Sequence, residues 1–223
     1  LPGYAAGDWW VQDAAAALPV RLLDPHPGER IADLCAAPGG KTLQLAAAGA
    51  RVTAVDLSPA RLERVAENLA RCRLEAELVA ADALDWRPEA PPDAILLDAP
   101  CSATGTIRRH PELPLIRDGS GLAALIALQD ALIDRALALL PPGGRLVYAT
   151  CSLLPAEGEE RLAAALARHS GLAVEPPDPA TLGIEPGWIT PAGGLRLTPA
   201  LWPGRGGMDG FFIARLRKSA GTT

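Results

Sequence analysis

The chain has 223 residues, of which 49% are apolar and 21% are charged, and its formal net charge at pH 7 is −5. This length and composition allow one sizeable hydrophobic core and predict a single domain. The acidic balance argues against a strong non-specific nucleic-acid binder, because phosphate neutralisation requires a basic surface. The sequence has no run of 18 uncharged apolar residues, and Leu1–Tyr4 lacks the pattern of a secretory signal. We therefore expect a cytoplasmic protein without a membrane partner.

Four cysteines occur, at Cys35, Cys72, Cys101 and Cys151. They lie tens of residues apart, without a C-x-x-C pair or a histidine spaced for zinc. A chain of this size with a good core does not need disulfides. The pattern predicts reduced thiols and no metal site.

Short runs rich in Val, Ile and Leu alternate with longer amphipathic runs. This alternation predicts crossover connections and a mainly parallel sheet with helices on both faces. The stretch 175–207 is rich in Pro, Gly and Trp and is predicted to be irregular. In chain order the predicted elements are helix Trp10–Leu23, strand Arg30–Ala36, helix Thr42–Ala48, strand Arg51–Leu57, helix Pro59–Cys72, strands Glu77–Ala81 and Ala94–Asp98, helix Gly121–Leu140, strand Arg145–Thr150, helix Pro155–His169 and strand Gly210–Leu216.

Acidic residues mark the ends of the first four predicted strands. The first strand leads into Asp33–Thr42, which reads DLCAAPGGKT, and the next three end at Asp56, Asp82 and Asp98. Ligands of open α/β sheets bind at the carboxyl ends of strands, and a Gly-rich turn lets backbone amides approach them. Asp56 suits ribose hydroxyls and Asp82 an adenine edge. The pattern predicts an adenosine-containing cofactor, while the glycine spacing fits neither a P-loop nor a dinucleotide motif.

Two cysteines follow predicted strands directly. Cys101 comes after the strand that ends at Asp98, and Cys151 comes after the strand that ends at Thr150. A single cysteine is more often a small core residue, and we adopt that interpretation for Cys72 and largely for Cys35. It is weaker for the other two, because turns after strands carry site residues.

A thiol in this position has a specific chemical use. A thiolate that adds to carbon 6 of cytosine makes carbon 5 nucleophilic towards the methyl group of S-adenosylmethionine. Loss of the carbon 5 proton then expels the thiol, and no metal is required. The candidates are Cys151 as the thiolate, Asp98 as a carboxyl beside the pyrimidine, and Cys101 as the group that finishes the reaction.

Three motifs carry a family resemblance. Asp33–Thr42, Leu97–Gly105 (LDAPCSATG) and Tyr148–Ser152 (YATCS) resemble the signature motifs of the Nol/Nop/Sun family of RNA 5-methylcytosine methyltransferases. Ala54–Ser58 and Met208–Arg215 also match. The resemblance implies an α/β fold of the class I S-adenosylmethionine-dependent, Rossmann-like type, with a mainly parallel seven-stranded sheet and helices on both faces.

The resemblance also implies roles for individual residues. Cys151 is the expected nucleophile and Cys101 the group that assists release, and the presence of both favours RNA over DNA. Lys41 is expected near the target base, while Arg108 and Arg109 are expected to hold RNA phosphates, a solvated turn being the alternative. The implied S-adenosylmethionine site consists of Cys35, Ala36, Ala37, Pro38, Gly39, Gly40, Lys41, Asp56, Asp82 and Asp98.

The opening residues Ala6–Asp13 most resemble the Sun/RsmB branch, whose members methylate bacterial small-subunit ribosomal RNA. That branch carries an N-terminal NusB-like RNA-binding domain, which we expect to be missing here. We expect a monomer that binds ribosomal RNA. Within a single domain at 1–223, the predicted segments are an N-terminal motif and helix at 1–28, a cofactor and catalytic core at 29–174, the irregular excursion at 175–207 and the last strand at 208–218.

Four alternatives remain open. The same chemistry on transfer RNA or another RNA is one, and a methyltransferase of the same fold acting on protein or a small molecule is another. The paired cysteines argue against the latter, since other methyl acceptors need no thiol pair. A non-catalytic RNA-binding or assembly factor is disfavoured by the intact Lys41, Asp98, Cys101 and Cys151. A nucleotide-binding oxidoreductase is disfavoured by the glycine spacing.

Overall fold

A sheet of eight strands lies between two layers of helices. The computed structural model describes residues 1–116 and 118–220, so the last three residues of the predicted domain lie outside the described residues. The helices are α1 (Ala14–Leu23), α2 (Gly40–Ala47), α3 (Pro59–Cys72), α4 (Leu113–Ile116), α5 (Leu122–Leu139), α6 (Glu159–Arg168) and α7 (Pro179–Leu182), and the strands are β1 (Arg30–Leu34), β2 (Arg51–Asp56), β3 (Glu77–Ala80), β4 (Ala94–Asp98), β5 (Arg145–Thr150), β6 (Leu172–Val174), β7 (Leu195–Leu197) and β8 (Phe211–Lys218).

The strand order is β3-β2-β1-β4-β5-β8-β6, with β7 paired to β8 off this path. The first five strands are parallel, and β8 runs antiparallel to β5. The order reverses between β1 and β4, and a crevice for ligands is expected at such a switch. This arrangement confirms the predicted fold class. The sheet has one strand more than the seven that the resemblance implies and two more than the six predicted along the chain, because neither β6 nor β7 was predicted.

The outer edge of β8 explains the additional strands. Leu216 to Lys218 pair with β6, whereas Phe211 to Ile213 pair with β7. An eight-residue strand is thus long enough to hold two three-residue strands end to end along one edge. Strands that short carry too little alternation to be predicted from sequence.

The parallel strands are buried on both faces. In β4, Ile95 and Leu97 pack with the core beneath α5 and α6, whereas Leu96 packs with α1 on the opposite face. All three side chains are fully buried. Continuous apolar runs are expected of strands that are covered on both sides.

Several element boundaries differ from prediction, and three of them differ for clear local reasons. Helix α1 begins at Ala14 rather than Trp10, because Asp13 caps it by accepting a hydrogen bond from the Ala15 amide (2.9 Å). Strand β1 ends at Leu34 because Cys35 adopts a positive φ of 61°. The helix predicted at 155–169 is a 3₁₀ turn followed by α6, since the backbone of Gly158 leaves the helical region.

Helix α5 is the longest of the described helices, with 18 residues. It turns Asp130 and Asp134 towards α6, where Arg161 and Arg168 form ion pairs with them.

Across residues 1–116 and 118–220, no helix is both long and apolar enough to span a membrane.

Gly105 joins the loops that follow β4 and β5 to the start of β8. Its amide donates to the Cys151 carbonyl (2.9 Å), and its own carbonyl accepts from the Gly210 amide (2.8 Å). A Cβ atom at Gly105 would lie 1.9 Å from the Gly210 carbonyl oxygen. These three backbone segments therefore meet at a point where only glycine fits.

Gly105→Ala is expected to lower the free energy of unfolding by about 2 kcal/mol, because an added methyl group in a filled site forces the backbone apart. Urea denaturation measures the change. Gly121→Ala is the control, since nothing lies within 4 Å of its Cβ position. It should change stability by less than about 0.5 kcal/mol. Equal losses in the two variants would contradict the close backbone contact.

Candidate active site

A cleft of about 640 Å³ opens at the carboxyl ends of β4 and β5, beside the turn that starts α2. It lies where the sheet topology predicts a ligand site. Among the residues that line it are Ala36, Pro38, Gly40, Lys41, Asp98, Cys151 and Phe211, with Gln12, Asp13, Arg108, Arg109 and Asp209 around them. The structure thus brings together predicted site residues from three separate motifs.

Lys41 and Asp98 form an ion pair in this cleft. Lys41 Nζ lies 2.7 Å from Asp98 Oδ2 and 5.4 Å from the centre of the Phe211 ring. Burial opposes the charge of Lys41, which is only 8% exposed, but the charge and hydrogen bond of Asp98 together with the charges of Asp33 and Cys151 raise its pKa. Charge-assisted hydrogen bonds are about twice as strong as neutral ones. The pair therefore places a fixed ammonium and a fixed carboxylate beside the reacting position.

The two predicted thiols touch, and both cysteines are free. Cys101 Sγ lies 3.4 Å from Cys151 Sγ. The hydrogen bond from Cys101 lowers the pKa of Cys151, and nearby Lys41 acts in the same direction. The same hydrogen bond, together with burial, raises the pKa of Cys101 well above its ordinary value. Cys151 is therefore the thiol that ionises first, and Cys101 remains the proton donor.

Their positions differ as well. Cys151 lines the cleft, whereas Cys101 is not among the lining residues. The thiolate is the nucleophilic form of cysteine. Both position and ionisation therefore favour Cys151 as the attacking group.

The predicted cofactor turn has an unusual backbone that β1, β2 and α3 hold in place. Gly39 caps α2 with φ 98°, and a Cβ there would lie 2.9 Å from Val65 Cγ1. Asp56 is 2% exposed and accepts hydrogen bonds from the amides of Ala37 (3.1 Å) and Ser58 (3.0 Å). Burial raises the pKa of Cys35 to about 12, so its thiol is not a nucleophile.

Arg61 also contacts the predicted cofactor turn, although it was not among the predicted site residues. Its guanidinium lies 3.4 Å from Asp56 Oδ2 and donates to the Ala37 carbonyl. The side chain is 58% exposed. In the sequence it is a charged residue in the first turn of α3, which normally indicates a solvated helix face. Only the fold shows that it reaches the turn.

Asp82 and Asp33 differ from the other acidic residues. Asp82 is exposed, accepts a hydrogen bond from the Leu84 amide (2.9 Å) and does not line the cleft. Asp33 is fully buried, and its Oδ2 accepts from Thr42 Oγ1 (2.6 Å). Its Oδ1 has no hydrogen-bond partner within the described part of the chain. Burial raises the pKa of Asp33 to about 7.

Arg108 and Arg109 are held by acidic side chains. Arg109 forms a two-pronged contact with buried Asp209, at 2.9 Å from Nε and 2.6 Å from Nη2. Arg108 lies 2.8 Å from Asp13 and 3.4 Å from Asp209. The loop is therefore tied to the start of α1 and the start of β8. The predicted phosphate contacts remain a prediction, since these acids already neutralise much of the charge.

Metal ligands were not predicted. Within the residues that the structure describes, no group of three or more His, Cys, Asp or Glu side chains is arranged to hold a metal ion.

The family model and the relatives that match this chain indicate the same family. The family described as 16S rRNA methyltransferase RsmB/F matches residues 20–217. Ribosomal RNA small subunit methyltransferase B of Pseudomonas syringae pv. tomato is 48% identical over 226 residues, which cover 99% of this chain and 49% of that protein. The protein of the same name from Vibrio cholerae is 43% identical and is covered to 48%. The chain thus spans about half the length of these relatives.

Solved structures agree. NSun6 from Pyrococcus horikoshii, determined with SFG, has a TM-score of 0.81 and 31% identity, and the match covers 98% of this chain and 55% of that one. A methyltransferase homolog protein from Pyrococcus horikoshii has a TM-score of 0.80 and 33% identity, and the match covers 98% and 70%.

Asp33→Asn is expected to flatten the pH dependence of stability between about pH 4 and pH 7. Because folding raises the pKa of Asp33 from 3.8 to about 7, the folded chain holds a proton in this window that the unfolded chain has lost. Stability from this group is complete below pH 3.8 and falls as pH rises, by up to about 1 kcal/mol per pH unit.

Urea denaturation across this pH range measures the difference between wild type and Asp33→Asn. Exposed Asp85 provides the control, as Asp85→Asn, which should keep the wild-type slope. An Asp33→Asn slope equal to that of wild type would show that Asp33 is ionised in the folded chain throughout the range.

Proposed function

Because the chain belongs to the RsmB/F family of 16S rRNA methyltransferases, we propose that it methylates carbon 5 of a cytosine in RNA through a covalent bond from Cys151 to carbon 6 of the base. The methyl donor is S-adenosylmethionine, and the RNA is bacterial small-subunit ribosomal RNA. The observation that carries the proposal is the contact of Cys101 with Cys151, since Cys151 lines a cleft that also holds Lys41 and Asp98. A protein with structural cysteines has no need of two thiols that differ in pKa.

The residues of the predicted cofactor site fit S-adenosylmethionine, which supplies an electrophilic methyl group on its sulfonium. A carboxylate has about four acceptor positions. Backbone amides occupy two of those of Asp56, and Arg61, which is half exposed, is free to swing away from a third. Asp56 is thus able to bind ribose hydroxyls while it holds the turn from Cys35 to Lys41. Asp82 follows the neighbouring strand β3 and does not line the cleft, so its proposed contact with the adenine edge rests on the sequence pattern alone.

Cys151 begins the reaction. Its thiolate attacks carbon 6 of the cytosine, and the ring electrons move towards carbon 5. Asp98 faces the same cleft and is oriented by Lys41, so it hydrogen-bonds the polar edge of the pyrimidine. Asp98 lines the cleft together with Ala36, Pro38 and Gly40 of the predicted cofactor turn, which supports its second proposed role in binding S-adenosylmethionine. Because Lys41 and Asp98 are already in place, less free energy is needed to reorganise polar groups when charge develops in the pyrimidine ring.

Cys101 acts in the second half of the reaction. After carbon 5 has received the methyl group, its proton passes to a water molecule, the bond between carbon 6 and Cys151 breaks, and the electron pair of that bond returns to the Cys151 sulfur. The Cys101 thiol, 3.4 Å away, donates a hydrogen bond to that departing thiolate. The raised pKa of Cys101 keeps its proton in place for this role.

RNA binding draws on the rim of the cleft. Arg108 and Arg109 retain exposed side-chain area of 37% and 48%, so they are able to contact phosphates while Asp209 holds them. Lys41 lies deeper, beside the base. A base in structured RNA must leave its stack to reach Cys151.

We further propose that residues 1–223 act as one cytoplasmic, monomeric catalytic domain.

Cys151→Ala should abolish covalent capture of RNA that contains 5-azacytidine, because the attacking sulfur is gone. In Cys101→Ala, a covalent complex should accumulate even on unmodified RNA, since the departing thiolate loses its hydrogen bond. A denaturing gel with S-adenosylmethionine present measures both. Cys72→Ala is the control, a buried cysteine on α3, and it should behave as wild type. Capture that persists in Cys151→Ala and is lost in Cys101→Ala would reverse the two roles.

Asp56→Ala should weaken binding of S-adenosylmethionine at least about tenfold, the effect of losing a charged hydrogen-bond partner. It removes the acceptor for the ribose and the anchor of the Ala37 amide together. Equilibrium dialysis with labelled S-adenosylmethionine measures the affinity. Asp85→Ala, at an exposed position after β3, is the matched control. Unchanged affinity in Asp56→Ala would remove this residue from the cofactor site.

A further inference from the structure

One buried carboxylate joins the two loops that carry the cysteines. Glu157 is fully buried, and its Oε1 accepts a hydrogen bond from the Ser102 amide (2.9 Å). Its Oε2 accepts from Ser152 Oγ (2.6 Å) and from Ser102 Oγ. Ser102 directly follows Cys101, and Ser152 directly follows Cys151. A single side chain thus contacts the neighbour of each thiol.

Strand β5 fixes the place of Glu157. The hydroxyl groups of Tyr148 and Thr150 donate to its backbone carbonyl, at 2.8 Å and 3.0 Å. The helical conformation is interrupted at Gly158, before α6 begins. The 3₁₀ turn therefore points Glu157 inward, where Gln129 on α5 donates a further hydrogen bond (3.0 Å).

We propose that Glu157 is a positioning residue that keeps Cys101 and Cys151 within hydrogen-bond distance of each other. It does not line the cleft, so it acts on the reaction only through the two loops. The effect of Glu157 on catalysis rests on the proposed function, whereas its effect on the distance between the two thiols does not. Without the carboxylate, the Ser102 amide and the Ser152 hydroxyl would lose the acceptor that they share, and with it one of the links between the two loops.

The charge of Glu157 has a second effect. It is one of the groups that raise the pKa of Cys101, after the hydrogen bond to Cys151 and burial. Two variants separate distance from charge. Glu157→Gln keeps the length and one acceptor oxygen but removes the charge, while Glu157→Ala removes both.

The test measures the proximity of the thiols without RNA or S-adenosylmethionine. Diamide oxidises two thiols that can meet to a disulfide and takes up both hydrogens, and mass spectrometry identifies the Cys101–Cys151 bond. Glu157→Ala should form this disulfide about tenfold or more slowly, because a small misplacement of reacting groups has a large effect on rate. Glu157→Gln should remain close to wild type. Glu160→Ala, an exposed glutamate one turn further on, is the control.

A second measurement reports the hydrogen bond between the thiols. The midpoint pH for iodoacetamide alkylation of Cys151 should move upward in Glu157→Ala, because the Cys101 thiol no longer stabilises the thiolate. Thermal melting checks that each variant is folded. If Glu157→Ala does not fold, Ser152→Ala removes one of the contacts and leaves Glu157 in place, and it should slow the disulfide in the same direction.

Wild-type rates of disulfide formation in folded Glu157→Ala, or in folded Ser152→Ala where Glu157→Ala does not fold, would overturn the proposal. The proposed methyltransferase chemistry would then still be judged by RNA capture at Cys151. Conversely, slow disulfide formation in Glu157→Ala together with no RNA capture in wild type would support the positioning and overturn the proposed function.

Discussion

Parallel pairing between β4 and β5 sets Asp98 opposite Ala149. Cys101 lies three residues beyond the first and Cys151 two residues beyond the second, so both thiols leave the sheet at the same edge. A shift of one residue in this pairing would turn each side chain to the other face. The contact between the sulfurs, the ion pair of Lys41 with Asp98 and the shared contacts of Glu157 all depend on this register.

The electrostatics of the cleft follow from this register between β4 and β5. The Lys41 ammonium, the Asp98 carboxylate and Cys151, whose pKa is lowered, line one partly buried cleft, and Cys101 contacts Cys151. Hydrogen bonds in such surroundings are stronger than in water, and unpaired charges are more costly. The structure meets this cost by pairing: Lys41 has Asp98, and Cys151 has the Cys101 proton. The proposed nucleophile, Cys151, is therefore already hydrogen-bonded to Cys101 in the protein alone.

Much of this arrangement was predictable from the sequence. The bounds of α3, β4 and β5 were predicted correctly, because capping residues and apolar runs are local signals. The meeting of Lys41, Asp98 and Cys151 followed from a general rule, since parallel strands present their carboxyl ends at one edge. What escaped prediction depends on distant contacts. Glu157 lies close to two other glutamates in the chain, and only packing against β5 and α5 distinguishes it. The capture of Arg109 by Asp209 joins residues that are 100 positions apart.

The last strand has a consequence for the order in which the chain is made. Phe211 lines the cleft, Gly210 binds the loop after β4, and the Asp209 amide binds Asp13 across 196 residues. Synthesis from the N-terminus therefore yields the sheet strands β1 to β5 well before the residues that close the cleft. Contacts of long sequence separation form late in folding. A nascent chain would hold both cysteines in a growing sheet while the cleft was still open, and the wall of the cleft would be complete only once β8 had been inserted.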